Sequence, residues 1–139
     1  MAGTIYLADT TVYVLRWRDG RISERFNALL AEGRVAACQI TYLEYLNNAA
    51  DPKSYEEVWR GLYGMRWIDV NTRALDRALA VHRELAARSQ HRNFALPDLI
   101  IAATAELHGA TVLHYDEDYD RIAEITGQPT EWVAPRGSL

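Results

Sequence analysis

The acidic residues Asp9, Glu44, Asp98, Asp116 and Asp118 are the side chains of this sequence whose types and placement best fit chemistry. They come from four separate stretches. Asp9 ends the apolar run Ile5 to Ala8, Glu44 lies in the first turn of a helix expected after the run Val35 to Cys38, Asp98 opens a helix behind Pro97, and Asp116 and Asp118 follow the run Thr111 to Tyr115. Carboxylates gathered at one place raise one another's pKa unless a cation joins them. An all-oxygen donor set, with no cysteine or histidine pair at metal spacing, points to Mg2+ or Mn2+ rather than zinc. Such ions act on phosphate oxygens, activating a water and neutralising charge in an in-line displacement.

Each acid also has a plainer explanation. Asp98 could complement the dipole of its own helix. Glu44 stands three residues after Thr41, the spacing of a capping box, which is sufficient cause for a glutamate there. Asp9 could cap a helix, and Asp116 or Asp118 could form a turn. What favours chemistry for Asp9 and Asp116 is their place at strand ends, where open α/β sheets bind their ligands. Thr11 could orient a carboxylate or a water through its hydroxyl, or act as a cap.

The elements that must position these acids read as strands alternating with helices. Ile5 to Ala8, Val35 to Cys38, Trp67 to Val70, Thr111 to Tyr115 and Thr130 to Val133 are short apolar strands. Between them the pattern predicts helices beginning near Val12, capped by Ser23, capped by Thr41 and running to about residue 50, starting at Ser54, capped by Thr72, spanning about 97 to 108, and running from about Tyr119 to Ile125. Alternation of this kind implies a parallel sheet covered on both faces. Leu99 to Ala105 leave the helix behind Asp98 no polar face, so other elements should cover it. The stripe Tyr55, Trp59 and Tyr63 reads as core by default; with Trp17, Tyr42 and Tyr45 it exceeds what a small core hides, so a partner's helix or a second subunit would cover part of it.

A chain of 139 residues suits one domain spanning 1 to 139. A single cysteine, Cys38, excludes a disulfide framework and a cysteine-built zinc cluster. Asp9 interrupts the only apolar stretch near the N-terminus and no later run approaches a membrane span, so the expectation is a soluble, cytoplasmic protein with no membrane association. A formal charge of −4 argues against binding nucleic acid through a broad basic surface, but cations held by the acids would reverse the local field. Arg88, His91 and Arg92, in the loop before Pro97, could hold phosphates or could simply be solvated.

In order and spacing, Asp9-Thr10-Thr11, Glu44, Leu96-Pro97-Asp98-Leu99-Ile100-Ile101-Ala102-Ala103-Thr104-Ala105 and Asp116-Glu117-Asp118-Tyr119 resemble the acidic motifs of the PIN-domain nucleases, and the length and layout are most similar to their VapC toxin subgroup. The resemblance covers nearly the whole chain. It implies a three-layer α/β/α sandwich around a mainly parallel sheet of four to five short strands. It also implies a Mg2+- or Mn2+-dependent endoribonuclease, a homodimer, and neutralisation by a VapB-type antitoxin. On that reading Asp9, Glu44, Asp98 and Asp116 hold the metal, with Asp118 as a further ligand or a support, and Thr11, Arg88, Arg92 and His114 are candidates for contact with the RNA substrate. One departure stands out: the family usually places threonine or serine where this chain has His114, a residue that either contacts phosphate or fills the strand end.

Two rivals remain. One is a related domain that binds RNA or a protein without cutting. The other is a metal-dependent phosphatase using Asp9 as nucleophile, but that chemistry, as in haloacid-dehalogenase-like proteins, wants a second aspartate where Thr11 stands and a lysine, and Lys53 is remote from any strand end.

Overall fold

The computed structural model describes residues 3–139. Five parallel strands form one sheet: β1 (Tyr6–Ala8), β2 (Val35–Ala37), β3 (Arg66–Trp67), β4 (Thr111–His114) and β5 (Thr130–Trp132), in the order β3-β2-β1-β4-β5. The helices are α1 (Thr10–Leu15), α2 (Gly20–Ala31), α3 (Gln39–Leu46), α4 (Pro52–Gly61), α5 (Thr72–Ala87), α6 (Leu96–Leu107) and α7 (Glu117–Thr126), with a 3-10 turn at His91–Asn93. The expected mainly parallel sheet is thus parallel throughout, β1 lying between β2 and β4 with Leu7 opposite both Ala36 and Val112.

Alternation along the strands divides the core into two layers. Leu7, Ala36 and Val112 face α5, α6 and α7, where Leu85, Leu99, Ile101 and Ile122 pack. Tyr6, Ala8, Val35 and Leu113 face the other side, where Val12, Ile22 and Phe26 of α1 and α2 lie. Ala102, Ala103 and Ala105 are all buried, and their small side chains let α6 approach the sheet closely. This is the three-layer α/β/α arrangement.

Several element starts differ from the expectation, and capping explains them. The N-cap of α2 is Asp19, whose side chain accepts from the Arg21 amide, so Ser23 lies inside the helix. In the same way Asp51 rather than Ser54 caps α4, Asn71 rather than Thr72 caps α5, and α7, capped by Asp116, starts at Glu117, two residues before Tyr119. The chain ends α3 at Leu46, short of residue 50. Strand β3 has only two residues, and Val70 donates its amide to the Gln39 side chain (2.8 Å) instead of extending the sheet.

The aromatic stripe of α4 is not core. That helix has no buried residue, and Trp59 and Tyr63 are 38% and 73% exposed. With Tyr42 and Leu43 of α3 and Trp67 of β3 they line an open groove of about 600 Å³.

Candidate active site

The first acid is fixed by the sheet itself. The Asp9 amide donates to Leu113 O at 2.9 Å, the rung that ends the pairing of β1 with β4. Asp9 therefore sits at the carboxyl edge beside the segment carrying Asp116. It occupies the N-cap position of α1 but makes no side-chain capping bond there. Its Oδ1 instead accepts from the Tyr119 hydroxyl at 2.8 Å, in an environment that leaves the residue 5% exposed.

Tyr119, buried at the start of α7, also points its hydroxyl at Asp98 Oδ1, 3.2 Å away. One phenol thus joins two carboxylates from β1 and α6. Burial, then the neighbouring Asp9 and Asp98, push the Tyr119 pKa far up, so the hydroxyl keeps its proton and remains a donor.

Asp98 lies in the first turn of α6 beside Pro97. An acid that only complemented the dipole would sit at or below its ordinary pKa. Desolvation, followed by the charge of Asp9, instead raises Asp98 to about 7, against the lowering effect of the Tyr119 hydrogen bond, with Asp116 and Glu44 adding to the rise. Tyr119→Phe is expected to raise the Asp98 pKa further, because it deletes the donor that favours the ionised form; a carboxyl 13C titration by NMR reads the shift, and an unchanged or lower value would contradict this geometry.

Asp98, Asp116 and Asp118 each offer a carboxylate oxygen within 4.8 Å of the others. The Asp116 side chain caps α7 by accepting from the Asp118 amide at 2.9 Å, so the turn-forming role and membership of the cluster coexist in one residue. Burial and then Asp116 raise the Asp118 pKa.

Glu44 has no part in capping. The helix begins at Gln39, and it is Thr41 whose hydroxyl accepts from the Cys38 amide, leaving Glu44 in the second turn of α3. There its Oε1 accepts from the Thr10 hydroxyl at 3.0 Å. Desolvation raises its pKa, Thr10 lowers it and Asp9 raises it again. The capping explanation for this residue is therefore overturned.

Among the described residues none of the five carboxylates forms an ion pair with arginine, lysine or histidine. Half-buried acids crowded without a counter-charge fit an added divalent cation, and carboxylate oxygens are the donors that Mg2+ and Mn2+ take. Asp98, Asp116 and Asp118 meet closely, while Asp9 and Glu44 are tied to the same edge through Tyr119 and Thr10.

The remaining expectations fare differently. Thr11 is exposed, and it is its neighbour Thr10 that grips an acid. Arg88 and Arg92 are exposed, at the end of α5 and in the turn just before α6, with no ion-pair partner among the described residues. His114 is wholly buried, with the rings of Tyr119 and Trp132 beside it, so of its two expected roles, contact with phosphate or filling of the strand end, the structure fits the second. Thr10 and Tyr119 were not singled out by sequence reasoning. Their only sequence signal is adjacency to Asp9 and Asp118, inside motifs already noted.

The PIN domain family model matches residues 6–125. Ribonuclease VapC18 of Mycobacterium tuberculosis is 41% identical over 137 residues, covering 97% of this chain and 99% of that one. The fold is similar to the DNA-bound VapBC of Salmonella typhimurium (TM-score 0.76, 22% identity, 95% of this chain and 100% of that chain). It is likewise similar to a toxin-antitoxin complex from Klebsiella pneumoniae (TM-score 0.71, 21% identity, 93% and 98%). Strand-end acids on a parallel five-stranded sheet, a family model spanning most of the chain and a full-length VapC relative agree: this chain belongs to the PIN domain family, in its VapC group.

Proposed function

We propose that this chain is a VapC-like toxin, an endoribonuclease that hydrolyses RNA phosphodiester bonds with Mg2+ or Mn2+ and is neutralised by a VapB-type antitoxin. The observation that carries the reading is the cluster of half-buried carboxylates with no counter-charge, in a chain 41% identical to a VapC ribonuclease. In this reading Asp98, Asp116 and Asp118 hold the cation, with Asp9 and Glu44 beside them. When bound, a divalent ion supplies Lewis-acid stabilisation of the phosphate and lowers the pKa of an attacking water.

The chain's own groups do the rest. Tyr119 holds Asp9 and Asp98 at a fixed separation, and Thr10 orients Glu44. Arg88 and Arg92 stand next to the Asp98 helix with their guanidinium groups free for backbone phosphates. No side chain is needed as a nucleophile.

Two apolar surfaces are available for the antitoxin and for a second copy in a homodimer: the aromatic groove of α3, α4 and β3, and a face of α5 and α6 where Leu75, Leu79 and Leu96 are 44%, 69% and 62% exposed. Cytoplasmic RNA is the substrate class that the reading requires, and among the described residues no helix is long and apolar enough to cross a membrane.

Metal removal tests the activity. Cleavage of a mixed single-stranded RNA should stop in excess EDTA and return in full when Mn2+ or Mg2+ is restored. Persistent cleavage in EDTA, with contaminating nuclease excluded by an inactive control preparation, would remove the metal from the mechanism.

A further inference from the structure

At the end of β4 the ring of His114 is 0% exposed, yet its nitrogens are not both idle. Its Nδ1 lies 3.1 Å from the backbone amide of Asp116 and accepts that hydrogen bond. The rings of Tyr119 and Trp132 flank it at 5.1 and 5.0 Å. A neutral imidazole that accepts at Nδ1 carries its proton on Nε2. Among the described residues Nε2 has no hydrogen-bond partner, and the nearest carboxylate oxygen, Asp120 Oδ1, is 3.7 Å away. Asp120 is itself anchored to β5, accepting from Trp132 Nε1 at 2.9 Å and Thr130 Oγ1 at 3.2 Å.

The ring is therefore packed against two aromatic neighbours, with Nε2 turned toward an anchored acid and Nδ1 aimed at a single amide. That amide opens the turn in which the Asp116 side chain captures the Asp118 amide. The same ring packs on Tyr119, whose hydroxyl joins Asp9 to Asp98. A phenylalanine or leucine would fill this space equally well; neither would offer an acceptor to Asp116.

We propose that His114 is a positioning residue: through Nδ1 it holds the Asp116 turn, and so the Asp116 and Asp118 carboxylates, in the arrangement that receives the divalent cation. This rests on the reading of those acids as the metal site. Groups that orient metal ligands from behind typically change metal affinity by about 10- to 100-fold when removed.

The test compares His114→Phe, which keeps an aromatic ring between Tyr119 and Trp132 without an acceptor, with His114→Asn, whose amide oxygen stands near the place of Nδ1. Mn2+ affinity is measured by the loss of the free-ion electron paramagnetic resonance signal, with thermal melting of the metal-free proteins alongside. The expected result is at least about a tenfold loss of affinity in His114→Phe and within about threefold of the starting value in His114→Asn. Equal affinity in the original protein and His114→Phe would overturn the positioning role alone. Failure of the original protein to bind Mn2+ would overturn the metal-site reading and the proposal with it. Should His114→Phe fail to fold, the 15N shifts of the His114 ring in the unaltered protein decide: a neutral ring protonated at Nε2 is expected, and a ring protonated at Nδ1 cannot accept from Asp116 and refutes the role.

Discussion

Asp98→Asn is expected to lower RNA cleavage by about a thousandfold while raising the melting temperature of the metal-free protein at pH 8. The two effects have one cause. Desolvation, then the charge of Asp9, with Asp116 and Glu44 contributing, pushes the Asp98 carboxyl up to about 7. At pH 8 it is ionised among like charges, which costs stability in the absence of a cation. Asparagine keeps the shape and an oxygen that can accept from Tyr119, but removes the charge. A fold carried by Leu99, Ile101 and the buried alanines of α6 has no need of that charge. Initial cleavage rates with Mn2+ and circular-dichroism melts in EDTA read the two effects. Retained cleavage would remove Asp98 from the site, and a lower melting temperature would mean that the carboxylate is structural.

The second large effect is the pH dependence of stability. Folded Asp98 holds its proton up to about 7, whereas in the unfolded chain it would release it near the ordinary aspartate value of about 3.9. Between those values the folded state binds more protons than the unfolded one, so stability falls as pH rises through that window and the loss is complete above it. Asp9, Glu44 and Asp118 are shifted in the same direction, each chiefly by burial. Protons and a divalent cation compete for these oxygens, so Mn2+ should stabilise strongly at pH 8 and little at pH 5. At a hundred times its dissociation constant, the cation adds about 2.7 kcal/mol, which for a domain of this size is a rise of about 10 °C. Melting curves with EDTA or Mn2+ at pH 5, 6, 7 and 8 check it. A metal-free melting temperature that climbs steadily from pH 5 to 8, or a Mn2+ shift of equal size at both ends, would contradict the account.

Much of this site is legible in the sequence because its geometry is local. Asp9 and Asp116 are marked by the apolar strands that precede them, and Asp98 by Pro97 and the apolar helix behind it. The strand-end rule then places them on one edge without any knowledge of side-chain contacts. What stays hidden depends on contacts between distant residues or on a choice among equivalent neighbours. Tyr119 meets Asp9 across 110 positions of chain, and nothing around Tyr119 announces a phenol shared by two acids. Thr10 and Thr11 are the same residue type; only the start of α1 decides that the former faces Glu44. The helix starts fail for a related reason. Asp19, Asp51 and Asn71 stand four, three and one residues before Ser23, Ser54 and Thr72, and in each case the chain caps the helix with the earlier residue. Glu44, for which capping-box spacing from Thr41 is sufficient cause on sequence grounds, gains most from the fold, because Thr41 takes the capping role and leaves Glu44 to Thr10. His114 moves the other way, from a possible phosphate contact to a buried support.

The central claim is that these carboxylates hold the cation that cleaves RNA. Its most direct test is to measure, on one preparation at pH 7.5, the Mn2+ dissociation constant by calorimetry and the Mn2+ concentration that half-saturates RNA cleavage. The account predicts that the two values coincide and that both are lost together in Asp116→Asn. Cleavage that is independent of Mn2+, or tight binding that survives Asp116→Asn while cleavage disappears, would contradict it.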